Sequence, residues 1–89
     1  MNNLETIIYL LNGLRKREYD IRAFCSEYIA AYRNLTSGEI SNKHLETQLD
    51  ELLEIVARFS DYEEDLKLKN VYFSEEDIRK KVSEILELV

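Results

Sequence analysis

LETQLDELLEIVARF, residues 45–59, decides the fold class. Leu45, Leu49, Leu52, Leu53, Val56 and Phe59 recur at helical spacing, so one face of a helix is apolar. Glu46, Asp50 and Glu54 recur every four residues on the opposite face. A helix starting near Ser41 is therefore apolar on one side and acidic on the other, and it must bury its leucines against something else.

Working outward, three further segments carry the same period. Leu4, Ile7, Ile8, Leu11 and Leu14 form a stripe after Asn2 or Asn3, either of which can cap the helix; Gly13 either ends it early or is passed as the helix runs on through Lys16. Ile21, Phe24, Cys25, Tyr28, Tyr32 and Leu35 form a second stripe, with Asp20 as the expected cap. Ser74 followed by Asp77 makes an acidic variant of the capping box, and Phe73 with Ile78 can form a hydrophobic staple. Behind that signal, Ile78, Val82, Ile85, Leu86 and Val89 make the last stripe. No proline occurs and the only glycines are Gly13 and Gly38, so the helices are expected to be long and unbroken. None of the four is stable alone, and one shared core is the natural solution. The expected fold is all-α, an antiparallel four-helix bundle in which residues 1–89 make a single domain.

Two connections are expected to be short, around Glu18-Tyr19 and across residues 36–40. The third, from Asp61 to Phe73, is long, begins acidic, and ends Asn70-Val71-Tyr72-Phe73, apolar enough to lie across the bundle. Connections of this length inside small domains are often functional.

Charge is distributed unevenly. Residues 1–35 carry five basic and four acidic groups; residues 36–66 carry two basic and nine acidic; residues 67–89 carry five of each. The whole net charge of −6 thus comes from the middle third. Direct nucleic-acid binding needs a concentrated basic surface, so it is not expected, whereas a basic protein partner is. No apolar run approaches the roughly 18 residues that span a bilayer, and no basic-then-apolar leader opens the chain, so a cytoplasmic protein without membrane contact is expected. Cys25, the one cysteine, has no disulfide partner and is expected to fill the core.

An enzyme is not expected. His44 is the sole histidine, Ser41 stands where a Glu-x-x-His metal motif would need glutamate, and no glycine-rich phosphate loop occurs. His44 is expected at or near the surface, and neither a metal nor a cofactor is expected. Tyr28 and Tyr32 fall on the core stripe, while Tyr62 and Tyr72 flank the long connection, where Tyr62 suits an interface anchor. The candidate binding residues are Asp50 and Glu54 on the third helix, then Asp61, Tyr62, Glu63, Glu64 and Asp65 beyond it. Acids repeated at i, i+4 weaken a helix by a few tenths of a kcal/mol per pair, a cost that lysines at those positions would have removed.

The chain resembles the colicin D type of bacterial self-protective immunity proteins, including those that guard against contact-dependent growth inhibition toxins. The resemblance rests on Ile21-x-x-Phe24-x-x-x-Tyr28, on Leu49-x-x-Leu52-Leu53 through Ala57-Arg58-Phe59, and on the acidic residues that follow. It continues through Tyr72-Phe73, Ser74-Glu75-Glu76-Asp77 and Ile78-Arg79-x-x-Val82-x-x-Ile85-Leu86, and covers residues 21–88. It implies an antiparallel helical bundle that binds the C-terminal nuclease domain of a cognate toxin one to one. The toxin is typically tRNA-cleaving, and an acidic surface fills its basic cleft. The family's patch corresponds to Asp61, Glu63, Glu64 and Asp65. Ala57 and Ser60 depart from it, standing where relatives can carry acids. The alternative, from another class, is an acidic helical adaptor or antitoxin-like regulatory subunit that binds a basic protein.

Overall fold

The computed structural model describes residues 2–35, 38–60, 62–67 and 71–89, with Glu63 described by its backbone alone. It is all-helical, and no strand occurs among the described residues. Helix α1 spans Asn3–Arg15, α2 Ile21–Arg33, α3 Lys43–Ala57, α4 Glu63–Leu66 and α5 Glu75–Leu86. Where four helices were expected, the acidic connection folds a further turn of its own, α4. No helix among the described residues is long and apolar enough to cross a membrane.

Local chemistry sets the boundaries. The Asn2 side chain accepts from the Glu5 amide at 2.8 Å and starts α1. Asn42 accepts from the His44 and Leu45 amides, so α3 begins just beyond Ser41. Asp20 holds the N-cap position of α2 in extended backbone but makes no side-chain capping bond. The capping box before α5 forms as expected: Ser74 accepts from the Asp77 amide and Asp77 accepts from the Ser74 amide, each satisfying a donor that the first turn leaves open.

The end of α1 is settled by packing. Gly13 is buried inside the helix and does not terminate it. A Cβ there would lie 2.1 Å from Cε2 of Tyr19, so the ring of Tyr19 occupies the space that a side chain would need. Two residues past the helix, the Glu18 amide donates to the Gly13 carbonyl at 2.9 Å and the Arg17 amide to the Leu14 carbonyl at 3.0 Å. That pair of bonds is a Schellman closure, with Arg17 in the left-handed conformation (φ 61°) where glycine is usual.

Helix α1 packs on α2 and α5, and α3 packs on the same two, so four helices enclose one core. Ile7, Leu11, Leu14, Phe24, Tyr28, Leu49, Leu52, Ile78, Val82 and Ile85 are its fully buried members. The stripes are thus placed as expected except at two residues: Ile8 is half-buried and does not join this core, and Val89 lies beyond the end of α5 and is 57% exposed. Val71 and Tyr72 are also exposed, so they do not lie across the core, and Asn70 falls outside the described residues. Phe73 is held instead by backbone. Its amide donates to the Arg58 carbonyl and its carbonyl accepts from the Ser60 amide, both at 2.9 Å, in an isolated parallel bridge between Phe59 and Phe73.

The seam between α2 and α3 contains two phenols. Tyr28 is fully buried, and its hydroxyl donates to the Leu49 carbonyl at 2.7 Å, which satisfies a polar group that would otherwise be costly to bury. Tyr32, one turn on, donates to the Asp50 carboxylate. Burial, this hydrogen bond and the charges of Asp50 and Glu46 push the Tyr32 phenol up to about 12. Cys25 is core filler, as expected, and burial pushes its thiol up to about 11.

Two tests follow from these contacts. Gly13→Ala is expected to lower stability by about 1–2 kcal/mol, because overpacking against Tyr19 outweighs the better helix propensity of alanine. In a Tyr19→Ala background the same change is expected to become stabilising; urea unfolding of the four proteins of the cycle checks this, and additive effects would refute the contact. The second test concerns alkali. Because folding raises the Tyr32 value above the ordinary 10.0, its contribution is intact below about pH 10 and is lost as pH rises towards about 12. Unfolding free energy should therefore fall less steeply across that window in Tyr32→Phe than in the parent chain; equal slopes would contradict the assignment.

Candidate functional site

Helix α3 turns its leucines inward and leaves Glu46, Asp50, Glu51 and Glu54 exposed. These carboxylates are not equivalent. Lys81 of α5 reaches Glu51 and Gln48 with its Nζ at 2.5 Å from each acceptor, so the flank facing α5 is neutralised. Asp50 accepts the Tyr32 hydroxyl. Glu54 lies 3.6 Å from Arg58 one turn later, an exposed pair that contributes little stability in water. Glu46 has no ion-pair partner among the described residues. Thr47, Asp50, Glu51, Leu53 and Glu54 line an open depression of about 250 Å³.

Beyond α3 the chain is clasped by the Phe59–Phe73 bridge, and there the second part of the site is built. Ser60 is the one buried polar side chain among the described residues. Its hydroxyl donates to Asp65 at 2.8 Å and accepts from the Tyr62 amide at 3.2 Å. These two bonds fix α4 against the end of α3. Tyr62 stands at the start of α4, 68% exposed, and Tyr72 lies across from it, 37% exposed. With Arg22, Phe59, Ser60 and Asp65 they line a cleft of about 170 Å³. The Arg22 guanidinium sits 6.0 Å from the Phe59 ring centroid, within cation–π range.

Five of the seven expected residues have described side chains. Asp50 and Glu54 lie on the outer face of α3; Tyr62 and Asp65 meet in the cleft; Glu64 is exposed on α4. The side chain of Glu63 and all of Asp61 fall outside the described residues. Among the described residues, the depression on α3 and the cleft beside α4 share no lining residue. Asp65 is half-buried and bound to Ser60, so it organises the site more than it presents charge. The sequence reading missed Ser60, Phe59 and above all Arg22, which brings a cation into the acidic region from α2. No local signal marks Arg22, since its neighbours in the cleft come from the far end of α3 and the connection beyond.

Two phenols, one carboxylate and one guanidinium-bearing residue around a shallow cleft suit charge pairing and aromatic contact with a macromolecule. Among the described residues no group of three or more histidine, cysteine or acidic side chains is placed to hold a metal ion. His44 is exposed at the start of α3, away from the cleft-lining residues. Comparison of the chain with protein families, with curated proteins and with solved structures finds no match in any of the three.

Proposed function

We propose that this chain is a non-catalytic immunity protein of the colicin D type, which neutralises a bacterial nuclease toxin, tRNA-cleaving in its leading form, by occluding the toxin's basic cleft. The complex is a one-to-one heterodimer with the toxin's C-terminal domain, formed in the cytoplasm without cofactor, membrane or direct nucleic-acid contact. In this reading α1, α2, α3 and α5 form an antiparallel four-helix bundle. Contacts between chain ends support it: Asn3 at the start of α1 donates to the carbonyl of Asn34 at the end of α2, and Arg79 near the start of α5 donates to the carbonyl of Leu14 at the end of α1.

The observation that carries the proposal is an exposed aromatic anchor, Tyr62, with the exposed carboxylate Glu64 two residues on in α4, while the exposed acids of α3 form a second acidic area. The anchor is pre-positioned because Ser60 and Asp65 already hold its backbone, which lowers the ordering cost of binding. Carboxylates in place of phosphates give complementary potential to a nuclease cleft, and such steering brings association towards about 10⁸–10⁹ M⁻¹s⁻¹ at low salt. Arg22 and Arg58 within the same region give the surface a mixed pattern, which selects one arrangement of partner charges over others.

Co-purification of the full chain with the protein encoded beside it, followed by binding and growth-protection assays, tests the proposal. Tyr62→Ala is expected to weaken the complex by about 30-fold or more through faster dissociation. Glu64→Lys is expected mainly to slow association, with the loss shrinking as salt is raised. Circular dichroism should be unchanged in both. Normal protection by both variants would remove the patch from the interface, and a basic regulatory protein as the sole partner would favour the adaptor alternative.

A further inference from the structure

A second feature is independent of the acidic face. Where the end of α1 meets α5, Leu14, Arg15, Arg17, Arg79, Val82 and Ser83 surround a cavity of about 220 Å³. Three arginines and a serine thus line one hollow together with Leu14 and Val82, both fully buried. We propose that this hollow binds a phosphate-type anion, a phosphate or pyrophosphate group carried by a small molecule.

The ordinary role for basic residues here is to complement the negative end of α1. That role is already filled. The Asn12 carbonyl accepts from the Lys16 amide, the Gly13 carbonyl from the Glu18 amide, and the Leu14 carbonyl from the Arg17 amide and from Arg79 Nη1 at 3.0 Å. The side chains of Arg15 and Arg17 have no hydrogen-bond or ion-pair partner among the described residues. Arg15 and Arg17 thus stand beside Arg79 in the lining of one hollow with no carboxylate bonded to either. Clustered like charges repel, and an anion in the hollow removes that repulsion.

Two further details favour a built site. Arg79 is fixed on two sides, by Glu75 at 2.7 Å and the Leu14 carbonyl at 3.0 Å, and its side chain is only 24% exposed. A guanidinium has five N–H donors, so those not used in these contacts remain for a ligand in a rigid arrangement. Arg17 keeps arginine at a left-handed position where glycine is favoured, a backbone cost that stability alone does not explain. Guanidinium forks match tetrahedral oxyanions in geometry as well as charge. The volume equals roughly seven times the ~30 Å³ share of a water molecule, room for a phosphate or a diphosphate.

The test is titration of the full chain with sodium pyrophosphate at constant ionic strength, sodium chloride serving as control, followed by amide chemical shifts and thermal unfolding. Saturable shifts at Leu14, Arg17, Val82 and Ser83 and a raised melting temperature are expected. Arg15→Gln and Arg17→Gly should each weaken binding by about tenfold. Arg17→Gly should also raise the melting temperature of the unliganded protein, since glycine relieves the left-handed backbone, so loss of binding in that variant cannot be loss of fold. Unsaturable shifts, equal shifts with chloride, or undiminished binding in both variants would overturn the proposal. Repeating the titration with ADP and ATP identifies the source: tighter binding than pyrophosphate marks a nucleotide, and equal or weaker binding marks the anion itself.

Discussion

Helices of 12 to 15 residues are marginal in water, so each long helix of this chain exists because two neighbours cover its apolar stripe. Mutual burial is the constraint from which the remaining structure follows. Tyr28 shows how closely it is met. Its ring lies in the core beside Phe24, with centroids 5.8 Å apart, and its hydroxyl finds the Leu49 carbonyl across the seam. No buried polar side-chain atom among the described residues lacks a partner, so the core contains no electrostatic penalty waiting to be relieved.

Much of this was legible in the sequence, because helical periodicity and capping are local. The four stripes, the Asn2 cap and the Ser74–Asp77 box depend on residues within a few positions of each other. What escaped depends on distance or on competition. Whether α1 stops at Gly13 or runs on stayed open in the sequence; the ring of Tyr19 fills the space beside the glycine, and only the folded turn brings the two together. Val89 continues the spacing of α5 but not the helix, which ends at Leu86. The turn of helix at Glu63–Leu66 is too short to declare a period of its own.

The site was legible to the same limit. Which carboxylates of α3 face outward followed from the leucines on the other side. How far each is compensated did not, because the partners come from other helices: Tyr32 meets Asp50 across 18 residues of chain and Lys81 meets Glu51 across 30. Dividing the charge into thirds along the sequence also hid a spatial fact. Arg22 belongs to the nearly neutral first third, yet it shares a cleft with Tyr62 and Asp65. A charge census by position is therefore a guide to total field and a poor guide to the pattern a partner would meet.

The bridge between Phe59 and Phe73 has a consequence for how such a chain can change over generations. Its two hydrogen bonds run from main chain to main chain, and so they make little demand on which side chains stand there. The segment between them is anchored at both ends by groups that every residue except proline possesses. Substitutions at the bridging positions, proline apart, therefore leave these two bonds available. The clasp thus constrains the path of the chain at these two points far more than the side chains that stand there.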